Sequence, residues 1–134
     1  MKLLLLLCAL LLACSMAHAE GLKFPESMWG KDWTREDTYR QGVLTALLIV
    51  DWGQTLYIAK HPETYREVGT AKSFIGEHPS VGKVNSYFVF GIAFSAAVSI
   101  LLPPDWRKGW QYIYIGYEFS YVQNNRSIGI KMDF

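Results

Sequence analysis

Apolar residues fall into blocks along this chain, and the blocks predict helices separated by one polar interval. A first apolar run, Leu3 to Ala13, follows Lys2 and precedes Ala17-His18-Ala19. A positive start, a short greasy run and a small-x-small site make an export signal over residues 1–19. Further on, Thr34 to Asp37 carries the Thr-x-x-Asp spacing of a capping box, in which the first residue caps a helix and the fourth answers from its first turn. A helix is therefore expected over about 35–60, with its apolar part from Gly42 to Ala59, ending at His61-Pro62. Residues 61–83 hold Pro62, Gly69, Gly76, Pro79 and Gly82 among many charges, which predicts a polar connector. Ser80 is a suitable cap for the next helix. That helix is expected over about 84–102, where no charged residue occurs, and Pro103-Pro104 ends it.

The aromatic segment 106–134 admits two readings. Trp106 to Tyr121 is either a third helix carrying Glu118 or a strand, because its Tyr, Ile and Phe residues favour pleated structure. The last residues alternate, with Ile128, Ile130, Met132 and Phe134 on one face, which predicts a short C-terminal β-hairpin. A whole-chain barrel is the lesser alternative, since about 8 strands are the minimum and the two upstream blocks do not alternate.

The expected fold class is thus mainly α: a small helical membrane protein with two or three transmembrane helices in a single domain, residues 20–134. A bilayer core takes about 20 apolar residues of helix, which both mature blocks approach. The mean hydropathy of +0.10 is carried by the leader, so the membrane expectation rests on how the apolar residues are concentrated. The alternative is a soluble or lipid-anchored periplasmic helical protein attached to an envelope surface. Leu11-Leu12-Ala13-Cys14 resembles a lipobox, which would make Cys14 a lipidation site and the product an outer-membrane or periplasmic lipoprotein. Cleavage after Ala19 removes both cysteines, Cys8 and Cys14, and with them any disulfide or thiolate metal site.

Charge and motif content narrow the function. Thirteen Lys and Arg stand against twelve Asp and Glu, interspersed, so no basic stripe offers itself to nucleic acid. Lysines and arginines also divide evenly between the two sides of the expected spans, leaving orientation open under the positive-inside rule. There is no nucleophile elbow, P-loop or dinucleotide-binding glycine pattern, and no catalytic set or cofactor is expected. His61, Glu63, Glu67, Glu77 and His78 are metal-capable, but their spacing matches no ligand set and they read as a solvated loop.

One constellation is out of place. Asp51 lies in the middle of the first mature apolar block, where an ionised carboxylate is costly by about 2.5 to 3.5 kcal/mol even on insertion scales. Gln54 and Thr55 follow at three and four positions, on the same helical face, where either can hydrogen-bond the acid. Asp51, Gln54 and Thr55, with Glu118 if its segment is helical, are the candidate ligand or proton site within the membrane. The alternative role for the same residues is helix packing. Gly91, Ser95 and Ser99 recur every four residues in the second block and predict a face where another helix approaches closely.

The motifs Asp51-Trp52-Gly53-Gln54-Thr55 and Glu77-His78-Pro79-Ser80 resemble those of small uncharacterised helical membrane proteins of proteobacteria and their phages. That resemblance implies a helical membrane protein and brings no established activity. The expectation is therefore an inner-membrane binding or structural component of the envelope, with lipid, another copy of itself or an envelope protein as partner.

Overall fold

The computed structural model describes residues 33–134. The expected export signal over residues 1–19, the candidate lipidation site Cys14 and the remaining residues up to 32 lie outside the described residues. Four helices make up the described part: α1 (Arg35–Lys60), α2 (Thr70–Ile75), α3 (Val81–Leu101) and α4 (Pro104–Ser127).

Local chemistry sets the ends of these helices. Thr34 caps α1 by accepting from the Asp37 backbone N–H at 3.2 Å, and the Asp37 carboxylate accepts from the Thr34 N–H at 2.9 Å. The reciprocal pair satisfies two donors that a helix start otherwise leaves bare. Ser80 caps α3 through the Lys83 N–H. Pro103 and Pro104 stop α3 and start α4, since a proline at the first position of a helix gives up only a donor that has no intrahelical partner.

The chain then packs in antiparallel fashion about α1. Ser99, near the end of α3, reaches Gln41 near the start of α1, while Asn85 near the start of α3 accepts from the Trp52 indole. α4 runs parallel to α1: Arg107 meets Asp37 at one end, and Asn125 meets Asp51 and Gln54 at the other. α3 and α4 each pack along α1 and touch one another much less. α1 is therefore the axis of the bundle, and its inward stripe decides what the interior contains.

That stripe is Asp37, Gln41, Leu44, Leu48, Asp51, Thr55 and Ile58, spaced alternately by four and three residues. Such spacing keeps one face on a neighbouring helix. Its composition divides the interior into three layers. Leu44, Leu48, Leu56, Val84 and Phe88 form an apolar middle and lower layer, with Tyr114, Ile115 and Ile92 against it. A polar layer lies on each side of Leu44 and Leu48.

Among the described residues, eleven buried side chains are polar or charged and eight are apolar. Outside, the pattern reverses: Val43, Val89, Phe90, Phe94, Ile113 and Phe119 are all exposed. α1 and α3 are both long and apolar enough to cross a membrane.

The C-terminal hairpin is not formed. Residues 104–127 are helical, and no strand occurs among the described residues. Pleated-sheet preference in Tyr and Ile is overridden by a polar period: Arg107, Gln111, Glu118 and Asn125 recur at intervals of four and seven and all turn inward. The tail instead leaves α4 through a turn at Ile128-Gly129 and lies against α1, with Ile128 and Met132 exposed. Ile130 is buried, the Asp133 N–H donates to the Gly53 carbonyl at 3.0 Å, and Lys60 pairs with Asp133. A Cβ on Gly53 would stand 2.8 Å from the Phe134 ring, so the tail seats only because that position has no side chain.

Candidate functional site

The two polar layers differ in how well their groups are satisfied, and the difference picks out the site. In the first layer the Arg107 side chain, 2% exposed, donates to the Asp37 carboxylate at 3.0 Å, the Ser99 carbonyl at 2.7 Å and the Leu102 carbonyl at 3.0 Å. Arg40 pairs with the same Asp37 and donates to Gln111, which donates in turn to the Asp37 carbonyl. Gln41 donates to Ser95 at 3.3 Å and accepts from Ser99 at 2.7 Å. Two guanidinium groups share one carboxylate, and none of these side chains has a buried polar atom without a partner. A closed network of this kind fixes register and depth between helices, and it offers a ligand nothing.

The second layer lacks that balance. Asp51, Gln54 and Thr55 come from α1, Glu118 and Asn125 from α4, and Glu67 from the connector. Asn125 donates to Asp51 at 3.1 Å and to Gln54 at 3.2 Å, and Gln54 donates to the Val122 carbonyl at 3.2 Å. Thr55 is hydrogen-bonded to Glu67, whose Oε1 also accepts from the Val68 N–H at 3.2 Å. Glu67 and Glu118 are each 6% exposed, and Oε2 of each is buried with no hydrogen-bond partner. Asp51 lies close enough to act electrostatically on both. Three carboxyl groups thus converge with few donors and with no Lys, Arg or His acting on Glu67.

Burial pushes the Glu67 carboxyl up to about 7, and the charge of Asp51 adds to the effect. Both causes disfavour the ionised form. The layer is packed, with the aromatic rings of Trp52, Phe88 and Phe134 beside it, so it suits a ligand the size of an ion or a proton. Among the described residues no three His, Cys, Asp or Glu side chains form a group that could hold a metal ion.

Of the residues singled out from sequence, Asp51, Gln54, Thr55 and Glu118 come together in this layer. Ser95 and Ser99 are fully buried against Gln41 of α1, whereas the space at the Gly91 Cβ is open and no close approach depends on it. Glu67 was expected among solvated loop residues and is instead buried. Asn125 falls seven residues after Glu118 on the same inward stripe, a spacing that marks it once α4 is helical. Glu67 has no such signal, because a long-range return of the connector places it.

No family model matches the chain, and no curated protein or solved structure matches it.

Proposed function

We propose that this protein is a small integral membrane component of the bacterial envelope, residing in the inner membrane, and that it binds a proton in the layer of Asp51, Glu67 and Glu118. The observation that carries the reading is the inversion of polarity between interior and exterior. In water, burial of apolar surface drives folding, and polar groups stay outside. A bundle with Arg107, Gln41, Gln111 and Glu118 inside and Phe90, Phe94 and Ile113 outside is arranged for an apolar solvent. There, buried polar groups bond across helices and the outer surface needs no polarity.

Depth follows from the same arrangement. At about 1.5 Å per residue, the 26 residues of α1 give a helix long enough for a hydrocarbon core about 30 Å thick. α4 accompanies α1 from Arg107 at Asp37 to Asn125 at Asp51, so if α1 crosses, α4 crosses with it. That makes two spans by length and apolarity, α1 and α3, with α4 as the third where it follows α1. An export signal at the start of the chain fits delivery to this membrane, and lipid is the first partner; a second copy or an envelope protein is the further candidate.

Binding is the role proposed for the second layer because its oxygen atoms outnumber its donors, as a cationic ligand requires. Alkaline carbonate extraction of membranes from cells producing the full chain tests the membrane reading. Retention in the pellet is expected; release into the supernatant would replace it with a protein attached to an envelope surface. Asp51→Asn at unchanged membrane level tests the site, with loss of the associated phenotype expected. Full tolerance would leave helix packing as the role of the acid.

A further inference from the structure

While Ile75 joins the apolar cluster, Glu67 is the charged residue of the connector that is buried in the bundle. Its backbone N–H donates to the Glu77 carbonyl at 2.8 Å, which closes the intervening loop and α2 into one unit. Its side chain turns the other way, into the layer formed by Asp51, Thr55 and Glu118. Two residues on, Gly69 takes a positive φ of +79° directly over the Tyr121 ring, a conformation and a clearance that only glycine provides there. Tyr117 of α4 then donates to the Thr70 hydroxyl. The connector is therefore held on the bundle at two places: residues 67–70 by polar contacts with α1 and α4, and α2 by Ile75, which is buried in the same apolar cluster as Val84 and Phe88.

The charge that acts on the Glu67 carboxyl is that of another acid, Asp51. Asp51 faces Glu67 from α1, and α4 brings Glu118, Tyr117 and Tyr121. From α3 comes Tyr87, close enough to feel both Asp51 and Glu118. Arg66 and His78 of the connector line an open groove with Pro62 and Tyr65. An ionised Glu67 would thus keep Oε2 buried without a donor and near the Asp51 carboxyl. Protonation of Glu67 removes both the buried charge and its repulsion with Asp51.

We propose that the proton of this layer is carried on Glu67, and that its presence decides whether residues 67–70 stay seated on the bundle. The proposal rests on the second polar layer being the binding site, and it names the residue that carries the proton. With the proton bound, Glu67 stays buried and the Val68–Thr70 backbone stays against α4. When the proton leaves, the carboxylate gains most by moving into water, and it takes residues 67–70 with it. The Glu67 carboxyl titrates near 7 in the seated state, so the change falls within the physiological range.

Amide hydrogen exchange at Val68, Gly69 and Thr70, measured on the full chain in zwitterionic nanodiscs from pH 5.5 to 8.5 and corrected for intrinsic rates, tests this. Protection is expected to fall tenfold or more through a midpoint near 7. Glu67→Gln, whose amide keeps a donor without a charge, is expected to hold the connector protected throughout. Asp51→Asn, which removes the facing charge, is expected to move the midpoint to lower pH; this second variant keeps the test open if the first does not fold.

Flat protection in the natural chain overturns the proposal. So does a pH dependence that persists in Glu67→Gln, which would put the proton elsewhere. Millimolar calcium restoring protection at pH 8.5 would make a metal ion the ligand instead. Release by carbonate would remove the membrane reading while leaving these exchange results standing, so the two failures are distinguishable.

Discussion

Arg107→Met tests how the first polar layer holds the bundle together. The arginine is almost fully buried and donates to three acceptors: the Asp37 carboxylate, the Ser99 carbonyl and the Leu102 carbonyl. Methionine retains much of the volume but supplies no donor. Removing one partner of a buried ion pair costs about 3 to 5 kcal/mol, because the other charge remains buried. Asp37 is not left bare here, since Arg40 still pairs with it and Thr34 still donates to it. The two carbonyls, both at the end of α3, lose their side-chain donor outright. The expected cost is therefore at the low end of that range, about 3 kcal/mol, or roughly a hundredfold in the folding equilibrium. Arg40→Met removes a partner that is 15% exposed, against 2% for Arg107, and is expected to cost less, about 1.5 kcal/mol. Reversible unfolding in mixed micelles, followed by helical circular dichroism as denaturing detergent is titrated in, measures both. Equal losses for the two variants, or a loss below 1 kcal/mol for Arg107→Met, would refute the claim that the buried guanidinium clamps α1, α3 and α4.

Other consequences can be measured in the same assay. Gly53→Ala places a Cβ 2.8 Å from the Phe134 ring and is expected to cost about 1 to 3 kcal/mol by overpacking, with Phe134→Ala in the same chain recovering most of it. Gly69→Ala forces a side chain into a positive-φ position under the Tyr121 hydroxyl, for an expected loss of about 1 to 3 kcal/mol; a neutral result would mean that the connector does not seat there. Ser99→Leu is expected to wedge α3 from α1 and to lower stability far more than Ser99→Ala, whereas similar losses would rule out close packing at that position. Stability should also depend on pH through Glu67, whose carboxyl binds its proton more tightly when folded, at about 7, than at its ordinary 4.5. The unfolded chain binds fewer protons in that window, so stability falls as pH rises through it, by up to about 3 kcal/mol. Melting at a series of pH values checks the sign, and Glu67→Gln should flatten the curve.

The helical architecture was legible because its signals are local. Thr34 and Asp37 announce the start of α1 by side-chain chemistry that works within one turn, and Pro103-Pro104 must interrupt any helix that reaches them. α4 was ambiguous because two local signals conflict there. Its tyrosines and isoleucines favour strand, while Arg107, Gln111, Glu118 and Asn125 repeat with a helical period. The repeat was hidden by its polarity, since amphipathic helices are ordinarily recognised by apolar residues on the inner face, and here the inner face is polar. Asp51, Gln54 and Thr55 stood out because an acid in an apolar block needs a partner, and the i, i+3, i+4 spacing supplies two on the same face. Glu67 was not legible. Its place depends on the connector folding back to Thr55, a contact set by tertiary structure that no spacing in the sequence encodes. The tail was not legible from its alternation, because a turn at Ile128-Gly129 and the seat on Gly53 decide its course, and Ile128 and Met132 stay exposed while Ile130 is buried.

The central claim is that the outer faces of α1, α3 and α4 are solvated by lipid. Cys8 and Cys14 are the chain's only cysteines, so replacing both leaves a background in which one spin label can be placed at will. Labels at Phe90 and Ile113, exposed near the middles of α3 and α4, and at Glu63 in the connector, can be compared by power saturation in bilayers with oxygen and with a water-soluble nickel chelate. Oxygen should relax Phe90 and Ile113 strongly while the nickel complex fails to reach them, and Glu63 should show the opposite. Nickel access at Phe90 and Ile113 equal to that at Glu63 would place those faces in water and contradict the claim.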